Sequence, residues 1–169
     1  MSRLAFLCLL LLGLTGCPSS NDDDSAAGDD DDSTEEATTG TLAVSFRIDD
    51  DWAGNMDEPA IGAFRGSVWN ADEVSGIGPD DGAVALADVY VEVVDLTGDD
   101  FSSGVLHVTG ELPAMWVTIL GFLDSDANAT EDPYRPDEGD PVTLPNDNEF
   151  LVVAGEETPA EVLFDFLNP

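Results

Sequence analysis

The chain has 169 residues and a formal net charge of −33 at neutral pH, from 37 Asp and Glu against four arginines, Arg3, Arg47, Arg65 and Arg135. A surface this acidic repels nucleic acid and anionic headgroups, whose phosphates are bound through Lys and Arg. With no lysine, and with only Cys8 and Cys17 for thiols, covalent catalysis through an amine or a thiol of the folded part is closed. Such charge attracts divalent cations or basic partners, and it also serves plain solubility in a salty or cation-rich milieu.

In chain order, Met1-Ser-Arg3 gives a short positive start, and Leu4 to Leu14 is apolar throughout. That run suits the h-region of a signal peptide and is about half the ~20 residues a spanning helix needs. Leu14-Thr15-Gly16-Cys17 follows. These residues resemble the bacterial lipobox: an aliphatic residue, two small ones that enter a peptidase cleft, and a cysteine whose thiolate takes a diacylglyceryl group. The resemblance implies a cleaved leader at 1–16 and a lipidated Cys17 carrying fatty acyl chains of the palmitate kind. Two chains already anchor stably to a membrane. The expected location is the cell envelope, with outer membrane or surface favoured over inner membrane. Residue 18 is proline rather than the aspartate that marks inner-membrane retention in some bacteria.

Residues 17–40 contain Asp22-Asp-Asp24 and Asp29 to Asp32 among Ser, Thr, Ala and Gly. After Cys17 and Pro18 no apolar residue there exceeds alanine, so the segment cannot offset the entropy of ordering and is expected to be a disordered acidic linker. Its typical reach is ~25–30 Å, lengthened by like-charge repulsion. Residues 41–169 are expected to form one domain.

Within that domain, Leu42, Val44, Phe46 and Ile48 alternate with Ser45 and Arg47, the pattern of a half-buried strand. A weaker strand is predicted over Gly62–Trp69 with Phe64 and Val68 inward. Ala83–Leu96 holds a strong one, with Val89, Val91 and Val93 on one side and Tyr90, Glu92 and Val94 on the other. Val105–Thr109 is short, and Trp116–Leu123 is apolar on both faces, as for a central strand. On that parity Trp116 joins Leu120 and Phe122 in the core. Phe150–Val153 and Val162–Phe166 complete the set; the latter follows Thr158-Pro-Ala-Glu161, which has the form of a helix capping box. Val162, Phe164 and Phe166 alternate, so a closing strand is expected instead of a helix. Short strands punctuated by Gly, Pro, Asn and Asp predict an all-β fold, a single antiparallel β-sandwich of about seven strands.

Gly110-Glu-Leu-Pro-Ala-Met-Trp116, running on to Gly121-Phe-Leu-Asp124, resembles prealbumin-like and carboxypeptidase-regulatory-like sandwich modules. Alanine stands at 114, where the glycine after the proline is usual. The resemblance implies a binding or spacing role and no activity.

Asp124, Asp126 and Asn128 reproduce the first three side-chain ligands of an EF-hand-type calcium loop, with Thr130 offering a carbonyl and Asp132 acting directly or through water. The sixth position is Ala129 instead of glycine and the twelfth is Arg135 instead of a bidentate Glu. Asp137, Glu138 or Asp140 are the available replacements. Calcium (Ca2+) is one reading of this loop; a solvated polar loop is the other.

His107, the single histidine, lies near Ser102 and Ser103, but no nucleophile elbow or orienting acid accompanies it, and the expectation is no enzyme. Trp52 and Trp69 fall on wetter positions and, if exposed, stack on sugar rings; lying over the sandwich edge is the alternative. The expected protein is a membrane-tethered, non-catalytic β-sandwich with a structural or interaction role. A carbohydrate- or protein-binding module using Trp52 and Trp69 is the second reading.

Overall fold

Alternation sets the first strand. β1 (Thr39–Ile48) turns Leu42, Val44, Phe46 and Ile48 to full burial, while Arg47 stays exposed. A computed structural model describes residues 37–56, 58–76, 78–130 and 135–169. The leader, Cys17, residues up to 36 and Asp132 lie outside it.

The other strands are β2 (Ile61–Asn70), β3 (Val74–Ser75), β4 (Gly78–Pro79), β5 (Ala87–Asp95), β6 (His107–Val108) and β7 (Leu112–Pro113). They continue with β8 (Trp116–Asp124), β9 (Pro141–Thr143), β10 (Glu149–Leu151) and β11 (Glu157–Leu167); the described residues add a short α-helix, α1 (Asp50–Ala53), and 3-10 turns at Ala71–Glu73 and Pro145–Asp147. The fold is all-β, as expected. Its main sheet runs β5-β2-β8-β9-β11-β1-β6, with β10 added to β8 and β7 to β1. Only one residue pair, Phe122 with Val142, joins β8 to β9. The sheet folds over at that junction. Phe46 of β1 meets Phe64 of β2 at 4.7 Å although the two strands are not neighbours in the sheet. The two halves therefore face each other, and Phe46, Phe64 and Phe164, all fully buried, fill the space between them.

Glycine makes room for that cluster. Gly66 and Gly121 are cross-strand partners in β2 and β8. A Cβ on either would stand 2.6 Å from the Phe64 ring, so the ring lies where two side chains would otherwise be.

Four details differ from the sequence reading. β5 keeps Val89 buried and Val91 half-buried, then places Val94 and Leu96 in the core and leaves Val93 62% exposed. A bulge is the cause: Phe64 pairs with Val91 and Gly62 with Val94, so β5 spends one extra residue and its parity flips. The closing strand β11 is a strand, but it pairs with β1 in parallel, Thr41 opposite Glu157 through Ile48 opposite Phe164. Every other strand pairing among the described residues is antiparallel. Trp116 is 56% exposed and not in the core: it shares a face with Leu120 and Phe122, of which Phe122 is buried as expected and Leu120 half-buried, while the central cluster takes Val117, Ile119 and Leu123 from the other face.

The fourth difference is the start of the domain. β1 begins at Thr39 rather than Thr41: Thr39 and Gly40 pair with Pro113 and Leu112, and the Thr38 carbonyl accepts from Ala114 N–H. Gly40 is needed there, since a Cβ would meet the Val153 carbonyl at 2.1 Å. A chain starting at Thr41 should be less stable than one starting at Ala37 by about 1–4 kcal/mol, the worth of two or three backbone hydrogen bonds. Urea titration checks this; equal midpoints would show that β7 contributes nothing.

Candidate metal centre

Strand β8 carries two faces of different use. Its odd positions point into the core, and its even positions, Leu120, Phe122 and Asp124, follow one another on the outer face. At the end of the strand the chain curls back. Asn128 N–H donates to Asp124 Oδ1 at 3.1 Å and to Asp126 Oδ1 at 3.2 Å. The left-handed residue that permits this curl is Ala127, with φ of 62°. The EF-hand register would place the sharp turn at Ala129, so the loop winds two residues earlier than that motif does. A non-glycine residue here costs ~1 kcal/mol, a strain borne where the carboxylates are gathered.

The third carboxylate arrives from the far end of the loop. Asp140, only 2% exposed, accepts Ser125 N–H at 3.3 Å and Asp137 N–H at 3.2 Å. One carboxylate oxygen from each of Asp124, Asp126 and Asp140 lies within 4.8 Å of the others. Asp124 is 3% exposed and Asp126 exposed. Asn128 Nδ2 donates to Asp126 Oδ2 at 2.7 Å and to Asp137, so a fourth acid borders the group. Turning that amide over would present its oxygen instead, the same atoms in nearly the same places.

Among the described residues, Arg65 brings a cation to the group, its Nε 3.5 Å from Asp124 Oδ2. Burial pushes the Asp140 carboxyl up to about 6, the Asp137 carboxyl beside it adds to the rise, and the Asp137 and Ser125 N–H groups oppose it. The donor set is all oxygen and mostly carboxylate, which suits a hard divalent cation.

Of the five residues expected as ligands, Asp124, Asp126 and Asn128 are brought together. Thr130 is exposed and borders the adjoining cleft, and Asp132 falls outside the described residues. Asp140 takes the place that Arg135, exposed at the twelfth position, cannot fill. Of the three acids at comparable spacing, Asp140 is distinguished by its burial, where Asp137 and Glu138 are exposed, and by the N–H groups of Ser125 and Asp137 that donate to it.

The two tryptophans part company. Trp52, on α1, is half-buried and edge-on to Phe166 at 6.1 Å. Trp69, also half-buried, lines a groove on the outer sheet face together with Arg65, Ser67, Tyr90, Phe122 and Asn168. His107 sits on β6 opposite Val44, and the Ser103 hydroxyl accepts Phe46 N–H and donates to the Gly104 carbonyl. Comparison with models of protein families, with curated proteins and with solved structures found no match for this chain.

Proposed function

We propose that the chain is an envelope lipoprotein, anchored through lipid on Cys17, whose β-sandwich is a non-catalytic module stiffened by calcium at Asp124, Asp126, Asn128 and Asp140. The anchor reading rests on Leu14-Thr15-Gly16-Cys17 following an apolar run too short to span. The calcium reading rests on one observation: two carboxylates, Asp124 and Asp140, are buried within 4.8 Å of each other and of Asp126. Burying like charges together is costly unless a counter-charge joins them. Arg65 supplies one positive charge for three acids, and a divalent cation balances the remainder.

Calcium here acts as a staple, not a catalyst. Asp124 ends β8, while Asp140 immediately precedes β9 and its carbonyl accepts Asn168 N–H from the end of the chain. An ion held by both acids ties three segments into one corner.

The anchor has a direct test. Mass spectrometry of the protein from a bacterial membrane fraction should find the new N-terminus at Cys17 with acyl chains attached. Cys17→Ser should remain uncleaved and unacylated. An unmodified Cys17 in the wild-type protein would sink the anchor reading.

A further inference from the structure

The register of the strands builds a cross-sheet row on the face opposite the core. Tyr90 pairs with Arg65, Arg65 with Phe122, Phe122 with Val142, and Val142 with Phe166, so one line of side chains crosses β5, β2, β8, β9 and β11. The next row is Asp88, Ser67 and Leu120, and Trp69 stands one step further along β2. Outer faces of antiparallel sheets are ordinarily polar. Here aromatic and aliphatic groups line a groove of about 1170 Å³. Ligand sites of small-molecule size run from roughly 300 to 1,000 Å³, so this one has room for several linked rings.

Polar side chains are interspersed among the apolar ones, Arg65, Ser67, Asp88 and Asn168 included. Ser67 donates to Asp88 at 3.0 Å, and Arg65 holds its guanidinium 5.3 Å from the centre of the Tyr90 ring. Charge decides the occupant. A polyanion is repelled by a chain of net charge −33, and a second copy of the chain is repelled for the same reason. Within the groove the charges of Arg65 and Asp88 offset each other, so the lining itself selects no cation. What remains is a neutral molecule with flat apolar faces and hydroxyl edges. We propose that this groove binds a neutral oligosaccharide, its pyranose rings stacked on Trp69 and Tyr90 and its hydroxyls bonded to Asp88, Ser67 and Asn168. Trp52, packed on Phe166, takes no part.

The experiment uses the full chain, with cello-, chito-, xylo-, malto- and mannohexaose as probes, followed by isothermal titration and tryptophan fluorescence. At least one should bind with a dissociation constant between micromolar and millimolar. Trp69→Ala and Tyr90→Ala should each weaken that binding by about tenfold, the worth of one stacked ring with its buried area. Trp69→Phe keeps a ring in place and should retain most of the affinity, which separates stacking from any loosening of the sheet. Trp116→Ala, outside the groove, should bind as wild type. The proposal is overturned if no probe binds at millimolar concentration, if binding survives both alanine changes, or if a sulfated hexasaccharide binds better than its neutral counterpart. Because Arg65 lines the groove and also pairs with Asp124, binding is measured both with and without calcium, which keeps this test separate from that of Asp124 and Asp140.

Discussion

Adding ~10 mM calcium should raise the melting temperature of the domain by roughly 6–12 °C, because a site with Kd ~0.1 mM on the native state alone contributes ~2.7 kcal/mol. That affinity belongs to the range of extracellular modules, ~0.1–1 mM, and a Kd near 1 mM would give about half the rise. The site is not an ideal loop. Its turn falls at Ala127, and its third carboxylate is contributed by Asp140 from beyond the loop. Sodium chloride at equal ionic strength controls for the general screening of so many acids. Magnesium should do less, since it demands tighter octahedral geometry and keeps its water. Asp124→Asn combined with Asp140→Asn should remove the calcium-specific part and leave the screening part. Acidity gives a further handle. The Asp140 carboxyl sits above its unfolded value of 3.8, at about 6, so without metal the folded state holds more protons than the unfolded one across that window. This group's contribution to stability then falls as pH rises from about 4 to about 6, and calcium competes with the proton. The calcium-induced rise should therefore be larger above pH ~7 than at pH ~5. If calcium does no more than sodium and magnesium, or the double mutant responds like wild type, the loop is merely solvated.

Phe64→Ala should be the most damaging of the single core changes, at about 3–5 kcal/mol. Total stability for a domain is about 5–15 kcal/mol, so the loss removes a large share of it. Phe64 is fully buried and touches both Phe46 and Phe164, with centroid distances of 4.7 and 5.9 Å. Collapse around the cavity is hindered because its walls include the backbones of Gly66 and Gly121. Gly66→Ala carries the reciprocal expectation. Its Cβ would stand 2.6 Å from the Phe64 ring and 2.6 Å from the Leu120 carbonyl, so the substitution destabilises in the wild-type background. Combined with Phe64→Leu it should cost less than the sum of the two, with a coupling of about 0.5–3 kcal/mol, incomplete because the Leu120 carbonyl remains. Chemical denaturation of the four proteins measures this. Strict additivity would mean that the ring and the glycines do not share space.

Much of this fold was legible because burial on one face leaves a period of two. Leu42 to Ile48 announced β1, and Phe64 and Val68 announced β2. Where legibility failed, the cause was a partner that no local pattern encodes. Nothing within Val89–Val94 marks the bulge, which is a property of how β5 is paired with β2. Trp116 reads as core because it shares parity with Leu120 and Phe122; Phe122 is buried, but on the face opposite the central cluster, in a row assembled from five strands, and that face is open at Trp116. The metal centre was half visible. Alternation at Asp124, Asp126 and Asn128 is local, whereas choosing Asp140 over Asp137 and Glu138 needs the hydrogen bonds from Ser125 and Asp137.

The parallel pairing of the first and last strands has a mechanical consequence. Because β1 and β11 run the same way, the chain enters β1 at Thr39 at one end of the pair and leaves β11 at Leu167 at the other, ~40 Å apart along the strands. A pull between those two points acts along the strand axes and slides β1 past β11. The backbone bonds from Thr41–Glu157 to Ile48–Phe164 then bear the load together, instead of opening one after another as in a hairpin peeled from its end. The last of the chain is fastened as well, since Asn168 N–H donates to the Asp140 carbonyl and Gly139 N–H donates to the Asn168 carbonyl. Pulled lengthwise, the domain is a shear lap joint with its trailing edge clamped beside the acidic cluster.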